Sequence, residues 1–124
     1  MKLPIIIVAE GTDVNFLYSL ANAEIEMEPI DVRDEIYQVF SADGKKLVPS
    51  VRSDKASFFT SLESTELIET GVDGSSSLIE LLIDFYVDIG LDVDCLRRME
   101  LFQLVEIGKL FFFKNFRKHH PRKV

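Results

Sequence analysis

The chain has 124 residues, enough for one domain and too few for two, with 47% hydrophobic residues, ten Phe and no Trp. A chain of this size buries roughly two-thirds of the surface it exposes when unfolded, which suffices for a self-standing core. The net charge of −7 repels phosphate backbones, so it argues against general nucleic-acid binding and favours a basic partner.

The run "LPIIIVA" at residues 3–9 is β-branched at its centre and predicts a strand buried on both faces. With Lys2 in front it has the outline of a secretory leader, but it is short and is bounded by Pro4 and Glu10. No apolar run approaches the roughly 18–20 residues of a membrane span. The lone cysteine, Cys95, cannot form an internal disulfide, so nothing points to an oxidising compartment. The expectation is a cytoplasmic protein.

"EGTD" breaks the first strand, and Thr12 or Asp13 is placed to cap a helix. Phe16, Leu17, Leu20 and Ala21 would form its apolar face, with an end near residues 22–24. Pro29 cannot extend that helix, so a short strand is predicted at 30–33. Tyr37, Val39 and Ser41 alternate with Ile36, Gln38 and Phe40, and Asp43-Gly44 offers the left-handed angles of a tight hairpin turn. Residues 47–52 form the return strand, where Pro49 lacks an N–H and implies an edge or a bulge. Residues 56–62 read as a further strand.

The C-terminal half reads as helical. Ser77 and Glu80 have capping-box spacing, and Leu78, Leu81, Leu82, Phe85 and Ile89 form a core stripe widened by Ile79, Ile83 and Tyr86. Gly90 ends that helix, and Asp92 or Asp94 caps a last one from about Cys95 to Leu110 or beyond. The predicted class is α+β: a small antiparallel sheet with one early helix and two C-terminal helices packed against it. Residues 1–115 form the single domain, and 116–124 a basic, flexible tail.

Charge is segregated along the chain. Between residues 56 and 96 there are nine acids and no Lys or Arg, whereas residues 109–124 hold six bases and no acid. Glu80, Asp84 and Asp88 fall four apart on one helix face, where like charges repel by about 0.2–0.5 kcal/mol per pair. They read either as a solvated face balanced by the basic tail or, with Asp73 and Asp92, as a surface for a basic protein partner. No catalytic residues and no cofactor are assigned. The acids form a line rather than a converging cage, and "DVD" at residues 92–94 lacks the Gly and distal Glu of a calcium loop, so no metal site is read. His119 and His120 lie among bases, which disfavours cations. Cys95 reads as a small buried apolar residue. The aromatic and basic tail "KLFFFKNFRKHHPRK" has a pattern that suits single strands or anionic membranes. The remainder opposes both, at −13 through residue 108 (8 bases less 21 acids), and neither nucleic acid nor membrane is expected as a partner.

The stretch "EPIDVRDEIYQVFSADGKKL" resembles a segment of small acidic bacterial proteins, similar to the toxin-immunity type, in which a short helix leads into a hairpin and then C-terminal helices. The resemblance covers under a fifth of the chain. Ala42 separates Ser41 from Asp43, so a tight Asp-Gly turn stands where those proteins have a looser one. It implies no enzyme activity and transfers no residue roles. The expected function is non-enzymatic binding of another protein, as an immunity protein that neutralises a basic toxin domain through an acidic surface. Two alternatives stand beside it: a homodimeric structural or adaptor protein using apolar contacts, and a small enzyme whose residues converge only in the fold.

Overall fold

The computed structural model describes residues 1–10, 13–55 and 61–119, with side chains through Leu110 apart from Lys55 and Ser61. Strands β1 (Ile5–Ala9), β2 (Asp13–Leu17), β3 (Tyr37–Phe40), β4 (Lys45–Lys55) and β5 (Ser61–Asp73) form an antiparallel sheet in the order β2-β1-β3-β4-β5. Helices α1 (Leu20–Glu26) and α2 (Pro29–Arg33) cover one face, while α3 (Ser75–Asp88), α4 (Val93–Arg97) and α5 (Leu101–His119) cover the other. The class is α+β, as the sequence predicts.

β1 is buried on both sides, which explains its unbroken apolar run. Ile5 and Ile7 pack with Ala23, Met27 and Val32, whereas Ile6 and Val8 pack with Phe16, Leu78, Leu82 and Leu104. Ser19, not Thr12 or Asp13, caps the first helix, accepting from Asn22 N–H at 3.0 Å. Residues 13–17 are instead a strand, because Val14 and Phe16 alternate with exposed Asp13 and Asn15 and reach the core only in that pleat. The strand expected at 30–33 is α2: Pro29 occupies its first turn, where a missing N–H costs nothing.

The hairpin between β3 and β4 is present, but only Gly44 is left-handed, at φ 86°. Gly44 N–H donates to Ser41 C=O at 3.0 Å and Ser41 N–H to Lys45 C=O at 2.9 Å, which makes a three-residue loop with glycine in the left-handed position. The β3–β4 ladder then ends after Val39↔Leu47. Two residues on, Pro49 would face Tyr37 and has no N–H to give its carbonyl. Pro49 therefore sits where β4 becomes an edge on that side, although β4 pairs with β5 along its whole length on the other, with a register shift between Lys45 and Leu47.

β5 is the outer edge, and the fold blunts it. Leu67 N–H points outward and donates to the Glu24 carboxylate at 2.7 Å, and Thr65 Oγ1 donates to Met27 C=O at 2.8 Å. An open row of edge donors is a template for unwanted pairing, and α1 fills part of it. Of the strand expected at 56–62, residues 56–60 lie outside the described residues, and the rest begins β5.

α3 begins at Ser75 with Gly74 as its N-cap, so the Ser77–Glu80 capping box does not form. Its start is tied to the β3–β4 turn by Gly74 N–H donating to Gly44 C=O at 2.7 Å. The buried stripe runs through Leu78, Leu82, Ile83 and Tyr86, and Ile89 is exposed. Gly90, at φ 105°, lies just past the helix. The expected last helix is two: Asp92 caps α4, and α5 starts afresh where Glu100 N–H donates to Gln103 Oε1 at 2.8 Å. The 115/116 boundary falls inside α5.

Candidate functional site: the outer face of α3

Burying Leu78, Leu82 and Tyr86 fixes the rotation of α3 and turns Glu80, Asp84, Val87 and Asp88 to solvent. The sequence-predicted stripe is thus assembled on one exposed face. Glu80 accepts weakly from Arg97 Nη1 of α4 at 3.5 Å, with both side chains more than half exposed, so this contact is worth little. Asp84 and Asp88 have no hydrogen bond or ion pair among the described residues.

The position of these acids opposes helix stability. Asp88 is the last residue of α3, and no base occupies the last turn. The C-terminal end of a helix carries partial negative charge, so an aspartate there is unfavourable by about 0.3–1 kcal/mol, in addition to the repulsion between Asp84 and Asp88. Val87 and Ile89, 40% and 41% exposed, place apolar surface beside the carboxylates.

The other two predicted partner-binding acids have structural tasks at the helix ends. Asp73 accepts from Ser75 Oγ at 2.5 Å and from Ser75 N–H at 2.9 Å. The Ser75 hydroxyl, then its amide, holds the Asp73 carboxyl below the usual aspartate range. Asp92 accepts from Cys95 N–H at 3.3 Å. Neither lies on the outer stripe.

The basic tail was the rival cover for this face. Lys109 Nζ donates instead to Glu106, one turn earlier on its own helix, at 2.9 Å. The side chains after Leu110 lie outside those described. Cys95 is exposed, not buried as its residue type suggested, because it falls in the first turn of α4 on the side away from Leu96. Among the described residues no three His, Cys, Asp or Glu side chains converge as metal ligands, and no helix is long and apolar enough to cross a membrane.

One further feature was not visible in the sequence. A groove of about 500 Å³ runs between α1–α2 and the β4–β5 ribbon, lined by residues from 21 to 66. Arg33 and Glu63 pair beside it, the guanidinium holding the Glu63 carboxyl below its usual range. Residues so far apart carry no shared sequence signal.

No protein-family model matches the chain, and no curated protein or solved structure matches it.

Proposed function

We propose that the chain is a non-enzymatic protein-binding protein whose α3 face docks on a basic protein partner, in the way an immunity protein occludes a toxin domain. The observation that carries this reading is the pair Asp84 and Asp88: exposed, unpaired among the described residues, and set where a helix end disfavours acids. Residues that lower stability without local compensation mark a surface shaped by something outside the chain. Carboxylates spaced along a rigid helix stand in for phosphates at an anion-binding groove, steering association more than adding raw affinity. Val87 and Ile89 supply apolar area at the edge of the charged stripe. A cytoplasmic location belongs to the same proposal, since an exposed single thiol such as Cys95 stays reduced there.

The test is to isolate the native complex, identify the bound protein by mass, and map its footprint by hydrogen exchange. Protection on the outer face of α3, with a partner of basic composition, supports the reading. An acidic or neutral partner, or a footprint that leaves α3 unchanged, contradicts it.

A further inference from the structure

The groove between α1–α2 and the β4–β5 ribbon is apolar on one side and acidic at its rim. Ala21, Ile25 and Pro29 form the apolar side, and Ile25 is 79% exposed. At the rim, Glu24 is occupied by Leu67 N–H and Glu63 by Arg33, but the side chains of Glu28 and Glu66 make no hydrogen bond or ion pair among the described residues. Arg52, the one base among the described lining residues, is turned to Asp54 at 3.2 Å. Such a groove fits a segment that interleaves apolar side chains with cations.

That pattern is present in this chain. Residues 109–124 hold six bases, no acid, and four Phe among them, while residues 1–108 carry −13 (8 bases less 21 acids). Among the described side chains Gly108 is the last buried position of α5; Leu110 is 66% exposed, and the helix continues to His119. At 1.5 Å per residue those eleven steps carry the backbone about 16 Å beyond Gly108. α5 packs on one face of the sheet, and the groove lies against the helices of the other. The sheet therefore stands between a molecule's own α5 and its own groove.

We infer that the groove receives the C-terminal segment, residues 109–124, of a second copy of this chain. Two copies exchanging these segments reciprocally close a symmetric dimer. The inference does not rest on the reading of α3.

Sedimentation of the intact chain tests it, with the synthetic peptide of residues 109–124 as the probe. At about 0.01 M ionic strength the chain should be dimeric, and at about 1 M, where the screening length is about 3 Å, largely monomeric. Glu28→Gln/Glu66→Gln and Ile25→Ser should each raise the dimer dissociation constant at least about tenfold with circular dichroism unchanged. Excess peptide should convert dimer to monomer. Glu80→Gln/Asp84→Asn/Asp88→Asn, on the opposite face, should leave the dimer intact. A chain that stays monomeric at low salt overturns the inference, as does a dimer indifferent to the groove variants. Peptide binding in the groove of a chain that never dimerises also overturns it, and assigns the groove to a foreign basic segment.

Discussion

The Tyr86 hydroxyl is fully buried and donates to Leu104 C=O at 2.6 Å, linking α3 to α5. Burial raises its pKa well above the usual tyrosine value. Tyr86→Phe keeps the ring packing and removes the polar contacts of the hydroxyl, the bond to Leu104 C=O foremost; it should cost about 0.5–1.5 kcal/mol in urea unfolding. Gly108 offers a sharper test. In an ordinary helix interior Gly→Ala gains about 0.5–1 kcal/mol. Here a Cβ would collide with the Phe16 ring, which is held in the core. Gly108→Ala should therefore destabilise, by about 1–3 kcal/mol, and Phe16→Leu in the same chain should recover part of the loss. Stabilisation by Gly108→Ala would show that α5 does not lie against β2 as described.

At the scale of elements, what was legible in the sequence is what local pattern controls. β1 was readable because an unbroken β-branched run has few other homes, and α3 because its apolar spacing is sustained over several turns. β2 was misread because Phe16, Leu17, Leu20 and Ala21 also fit a helical face; the alternation of Val14 and Phe16 prevails only once β1 supplies a partner strand. Pro29 was read as a barrier to helix when it is the favoured first residue of one. The acidic stripe was legible from its four-residue spacing, whereas the Glu24–Leu67 contact joins residues 43 apart and leaves no local trace. Two predictions belong here. Asp88→Asn should raise the melting temperature slightly by relieving both the helix-end charge and the repulsion with Asp84. The second concerns acid. Asp43 is held below the usual aspartate range chiefly by the Ser41 hydroxyl, and Asp73 by Ser75. A carboxyl whose folded pKa is depressed contributes stability above its unfolded value, near 4, and loses it as pH falls through the folded value. The melting temperature should therefore fall below about pH 4, and Asp73→Asn should flatten that decline. An identical acid limb in the variant would place the linkage elsewhere.

For the whole molecule, the sheet divides the surface into two independent regions. One face carries α3, where Asp84 and Asp88 have no hydrogen bond or ion pair among the described residues; the other carries the groove beside α1 and α2. The central claim is that the first of these recognises a basic protein through charge. Its most direct measurement is the association rate with the co-purified partner, by stopped flow, as a function of ionic strength, for the native chain and for Glu80→Gln/Asp84→Asn/Asp88→Asn. Electrostatic recognition requires a rate that falls steeply as screening shortens from about 30 Å at 0.01 M to about 8 Å at 0.15 M. The triple variant should start from a lower rate and show a shallower slope, while its thermal stability is equal or higher. A salt-independent rate that the triple variant leaves unchanged would contradict electrostatic recognition by α3.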